Sequence, residues 1–183
     1  MYSPAEVARR YVETGKSKAA LPVGRMLLLG MLAGAFIALA GGSATFAVSY
    51  GGGLAGAAVF PAGLAMVLLA GSELFTGNCL LVIPLLERQL TWGRMLRSWG
   101  VVYLANVLGA GSVAALTVAA GTFDGVYESV VATAAAKAGL PFLTALLRGV
   151  LCNFLVCIAV WMSLAAQSVP GKLAAMYLPI FTF

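Results

Sequence analysis

The chain has 183 residues, of which 62% are hydrophobic and only 9% charged, against about a quarter charged in soluble domains. That composition excludes a water-soluble globule of this size. The formal charge of +5 is gathered between apolar runs, so it reads as a topology pattern and not as a nucleic-acid-binding surface.

The first 20 residues are polar and charged, without the short apolar core of a cleavable signal peptide. Ser3-Pro4-Ala5-Glu6 has the form of a capping box with proline at the first helical position, which predicts an amphipathic helix within residues 1–24, lying on a membrane face. Residues 25–183 then form one membrane domain.

Between Arg25 and Glu73 lie 47 uncharged residues, about twice the ~20 needed to cross a bilayer. Two spans share them, divided at Ser49-Tyr50-Gly51-Gly52-Gly53, so the first is expected over 26–49 and the second over 54–86. The glycines at 51, 53 and 56 also satisfy a dinucleotide-binding fingerprint, but they follow no strand and are read as a turn. Gly30 and Gly34 form a small-xxx-small pair suited to close helix packing.

As one helix, 33 residues would reach about 50 Å, well beyond the hydrocarbon core. An interruption is expected at 71–78, the polar stretch Gly71-Ser72-Glu73-Leu74-Phe75-Thr76-Gly77-Asn78. A helix broken near the midplane points to a permeation site, because irregular backbone at that depth must line a cavity or be buried in protein. Gly71, Glu73, Gly77 and Asn78 are expected to build the break, with Glu73 bonded to backbone N–H groups of the restarted helix.

Three more spans are expected, at 95–119, 141–167 and, in part, 172–183. Basic residues precede the first and third spans, whereas 119–137 holds Asp124, Glu128 and Lys137. The positive-inside rule then puts the N-terminus in the cytoplasm. Cys79, Cys152 and Cys157 lie in apolar stretches and, with no histidine, suggest neither a metal site nor a cofactor. Arg148, near the outer end of the fourth span, is read as a snorkelling side chain.

Leu27-Leu28-Leu29-Gly30-Met31-Leu32 matches Leu146-Leu147-Arg148-Gly149-Val150-Leu151 at four of six positions, and Ala40 matches Ala159 at the same offset of 119. The copies enter from opposite sides, which is the signature of an inverted repeat. Continuing that offset leaves a second broken helix and a sixth span beyond residue 183, so a chain of five of six spans is expected.

Glu73-Leu74-Phe75-Thr76-Gly77-Asn78, Thr91-Trp92-Gly93, Asn106-Val107-Leu108-Gly109-Ala110 and the run from Gly149 to Met162 resemble the formate/nitrite transporter family. The resemblance implies an all-α, aquaporin-like inverted-repeat bundle in the bacterial cytoplasmic membrane. It also implies a homopentamer with one pore per subunit for formate, nitrite or hydrosulfide. By the same resemblance, Phe60, Leu64, Leu74, Phe75 and Phe183 form hydrophobic constrictions, Thr76 contacts the anion, Lys137 draws anions into the outer vestibule and Asn153 lies beside the pore. The family's Phe-Glu-His-Ser element in the second broken helix has no counterpart here. Alternatives are an aquaporin-like neutral-solute channel, which would be expected to carry Asn-Pro-Ala at its half-helix ends, and a non-transporting fragment. No nucleophile–base pair suggests an enzyme.

Overall fold

In the computed structural model, which describes residues 1–182, every regular element is helical. Helix α1 (Pro4–Ala19) starts where the Ser3 hydroxyl accepts the Glu6 N–H, with Pro4 in the first turn, where its missing donor costs nothing. Val7, Tyr11, Gly15 and Ala19 form its buried stripe. A Cβ at Gly15 would lie 2.9 Å from Pro84, so the small residue lets α1 seat closely.

Helix α2 (Val23–Val59) contains one non-helical residue, Gly52, at φ 74°, ψ −177°. That region is essentially restricted to glycine. The chain doubles back there: Gly56 lies against Ala44 and Val48, and Gly63 against Ala40. Helix α3 (Pro61–Ala70) continues the returning arm until Gly71, in the left-handed conformation, ends it.

The break is shorter than the polar run suggests. Residues 72–74 are irregular and helix resumes at Phe75, as α4 (Phe75–Asn78), a 3₁₀ turn and α5 (Val82–Leu86). Helix α6 (Trp92–Ala119) follows, capped by the Thr91 hydroxyl, which accepts the Arg94 N–H. The segment between α6 and the next long helix holds a helix absent from the sequence expectations, α7 (Tyr127–Ala138). Helices α8 (Phe142–Ala165) and α9 (Val169–Phe181) complete the described chain.

Stretches 23–70, 92–119 and 142–165 are long and apolar enough to cross a membrane. Large apolar side chains such as Leu28, Leu108, Val150 and Leu151 face outward on them, the arrangement that lipid requires and water penalises. The chain is a multi-pass membrane protein.

Without a hydrophobic force between helices in lipid, association depends on close packing. The α2–α6 seam supplies it through absent side chains: Gly30 meets Ala105, Gly34 meets the Asn106 backbone, and Gly109 meets the Met31 backbone. The core gathers Ala33, Leu64, Val67, Val156, Ala159, Val160, Met176 and Ile180 from α2, α3, α8 and α9. The repeat offset has a structural counterpart. Ala58 and Tyr177 are 119 residues apart, and the Tyr177 hydroxyl donates to the Ala58 carbonyl at 3.0 Å, as positions beside an internal two-fold axis would.

Candidate functional site

Unwinding a helix frees backbone groups that lipid cannot satisfy, and at this break protein groups satisfy them. The Glu73 N–H donates to the Leu29 carbonyl at 3.1 Å. The Asn106 amide donates to the carbonyls of Gly30 (2.8 Å) and Glu73 (2.9 Å) and accepts the Phe75 N–H at 2.8 Å.

Glu73 is only 4% exposed, and its partners differ from those expected. The carboxylate does not take the N–H groups of the restarted helix. It accepts from the Lys18 ammonium at 2.8 Å and from the Asn78 amide at 2.8 Å. A cation brought in by α1 balances a buried charge more completely than peptide dipoles could. Asn78, fully buried, also accepts from Lys18 at 3.3 Å, donates to the Ser98 hydroxyl at 3.3 Å and presents its carbonyl to the Trp99 ring nitrogen at 2.8 Å. The Tyr11 hydroxyl donates to the Gly77 carbonyl at 3.3 Å. Burial, and then the Glu73 carboxylate, raise the Tyr11 phenol above its ordinary value, which keeps it a proton donor.

Two cavities open toward opposite ends of this region. One, of about 190 Å³, is lined by Tyr11 and Lys18 of α1, by Glu73, Leu74, Gly77 and Asn78 of the break, and by Leu64. The other, of about 330 Å³, is lined by Phe60, Thr45, Thr133, Lys137 and Ile180. Phe60 and Leu64 are one helical turn apart yet belong to different cavities, so the apolar layer between the cavities starts with this pair. Leu64, Leu74 and Ile180 all join the same hydrophobic core.

Phe60 and Lys137 thus line the larger cavity, and Leu64 and Leu74 the smaller one. Phe75 does not line either cavity: its ring packs edge-on against Trp99 and Tyr103 of α6, with centroids 6.3 and 5.3 Å away. Phe183 lies outside the described residues. Thr76 lies at the seam between α4 and α8, where Cys157, one turn from Asn153, donates its thiol hydrogen to the Thr76 carbonyl at 3.3 Å, and neither Thr76 nor Asn153 lines either cavity. Among the described residues, Thr76 Oγ1 and Asn153 Oδ1 are buried without a hydrogen-bond partner, an unusual state for buried polar atoms. Gly71 ends α3 and stands at the rim of the smaller cavity.

Two site residues were missed by sequence reasoning. Lys18 had a signal, since it precedes Lys137 by the same 119 residues that relate the two repeats. Asn106 was visible only as part of a motif; its role depends on which backbone groups the break leaves open.

Residues 5–183 match the profile of the formate/nitrite transporter family. An uncharacterized transporter of Bacillus subtilis, YrhG, is 38% identical over 98% of this chain and 72% of its own length. The formate channel BtFdhC of Bacillus thuringiensis is 34% identical over 100% of this chain and 74% of its own. Among solved structures, an FNT family ion channel superposes with a TM-score of 0.84 at 26% identity, covering 97% of this chain and 75% of that one. A pentameric formate channel with formate bound gives 0.73 at 28% identity, over 87% and 67%. With its broken second membrane helix, its helical plan and a profile match along almost its whole length, this chain belongs to the formate/nitrite transporter family.

Proposed function

We propose that the chain forms a passage for small monovalent weak-acid anions, formate in the first place and nitrite or hydrosulfide by the same chemistry. The observation that carries this reading is the pair of cavities, each with a lysine at repeat-equivalent positions, separated by an apolar layer at a broken helix. A bare anion in a low-dielectric layer would meet a penalty of tens of kcal/mol by Born estimates. Lys137, exposed at the larger cavity, raises the local anion concentration, whereas the Lys18 charge at the smaller one is balanced by Glu73. A proton taken up on the way neutralises a weak acid for the apolar step, which a strong-acid anion cannot use. Support for a polar contact comes from Thr76 Oγ1 and Asn153 Oδ1, which are buried without a hydrogen-bond partner although neither residue lines a cavity.

In this reading the α1 end faces the cytoplasm of a bacterium, five copies assemble, each with its own pore, and the protein carries out transport with no catalysis. Reconstitution of the full chain into liposomes tests it. Labelled formate uptake should exceed that of empty liposomes and rise as external pH falls. Swelling that follows osmolarity alone, indifferent to formate and pH, would identify a neutral-solute channel and sink the proposal.

A further inference from the structure

Asn106 makes a contact of unusual form. Its amide oxygen accepts the Phe75 N–H at 2.8 Å and its amide nitrogen donates to the Glu73 carbonyl at 2.9 Å. Bonding the C=O of one residue and the N–H of the residue two further on is what a neighbouring strand does to an extended chain. Leu74, between the two, has the matching dihedral angles, φ −105° and ψ 129°. A single side chain therefore acts as a one-residue strand partner for the break. Its second amide hydrogen goes to the Gly30 carbonyl at 2.8 Å, which fixes the amide against α2.

The register has a consequence for side chains. In extended backbone, neighbouring residues point to opposite faces. With positions 73 and 75 bonded to Asn106, the Leu74 side chain is delivered into the core cluster and the wall of the smaller cavity, while Phe75 goes to the Trp99 and Tyr103 rings. Helix resumes immediately afterward, which places Thr76 on the α8 seam. We infer that Asn106 is the positioning residue of this passage, setting from α6 the orientation of Leu74 in the constriction and of Thr76 beside it, without touching the permeant itself. Gly34 and Gly109 serve the same end, because α2 and α6 must approach at backbone distance for one short side chain to reach Gly30, Glu73 and Phe75 together.

The test uses the full chain as Asn106→Ala and Asn106→Asp, with two readouts. The first is amide hydrogen exchange of residues 71–78, which does not depend on any transport activity. It should accelerate at least about tenfold in Asn106→Ala, while exchange in the middle of α8 stays as in the parent. The second rests on the proposed passage: the ratio of formate to lactate uptake in liposomes should fall by about tenfold as Leu74 loses its fixed direction. Asn106→Asp, which keeps the acceptor for Phe75 but loses both donors, should lie between parent and Asn106→Ala in both measurements. This nearly isosteric variant also carries the test if the alanine variant does not assemble. Unchanged exchange at 71–78 in an assembled variant overturns the inference. Accelerated exchange with an unchanged uptake ratio overturns the link from Asn106 to selectivity, whereas absent uptake by the parent counts against the passage itself.

Discussion

Lys18 and Glu73, 55 residues apart in sequence, meet at 2.8 Å beneath the helix break. The lysine side chain is 26% exposed and the glutamate side chain 5%, so the two ends of the pair are not equivalent. Removing the lysine leaves a carboxylate stranded in protein; removing the glutamate leaves an ammonium that still reaches Asn78 and water.

Lys18→Met should therefore destabilise the fold by about 3 kcal/mol and Glu73→Gln by about 1 kcal/mol. Thermal unfolding in detergent micelles measures the order. A larger loss for Glu73→Gln would mean that the buried charge is balanced elsewhere.

Lys137 is exposed on α7 and lines the larger cavity together with Phe60 and Ile180. Lys137→Glu should reduce initial anion uptake on the order of tenfold at low ionic strength, and the deficit should shrink at high salt as the Debye length contracts. Uptake kinetics in liposomes at two salt concentrations give the answer; undiminished uptake at low salt contradicts the role.

A Cβ at Gly34 would overlap the Asn106 backbone, whereas one at Gly100 on the same seam's helix would meet open space. Gly34→Ala should cost about 1–3 kcal/mol through forced separation of α2 and α6. Gly100→Ala should be neutral or stabilise slightly, by about 0.5–1 kcal/mol. Melting temperatures of the two variants, compared side by side, decide it.

Arg88 has φ 56° in the turn after α5, where its own N–H donates to Leu85 and that of Gln89 to Pro84 at 2.8 Å. These bonds form a Schellman cap, whose left-handed position favours glycine. Arg88→Gly should stabilise the protein by about 1 kcal/mol, and Arg88→Ala should not. Equal melting temperatures for both variants would show that the turn relaxes to another conformation.

The membrane class, the reversal at the triple glycine and the broken second helix were legible because each follows from a local imbalance. The 47-residue uncharged run is too long for one span, and the only polar interruption within the second span must mark the break. Partners across the fold were less legible. Glu73 demanded compensation, but that it would come from α1 depends on Gly15 and Pro84 letting that helix press inward. Leu74 and Phe75 are adjacent in sequence and alike in character; the extended backbone at Leu74, bonded to Asn106 on both sides, sends the first to the smaller cavity and the second to α6.

The α2–α6 seam is held by the shape of three glycine contacts, and hydrocarbon of any kind competes with it poorly. Transfer from bilayer to micelle therefore leaves it nearly intact. Helix α1 is held differently, by a buried stripe and by polar ties at Lys18, Tyr11 and the Arg97 guanidinium, which donates to the Ala19 carbonyl at 2.8 Å. Those ties are polar and partly buried, and they weaken with denaturant. Solubilised protein should accordingly come apart at α1 first, the glycine seam outlasting the strap that lines the smaller cavity.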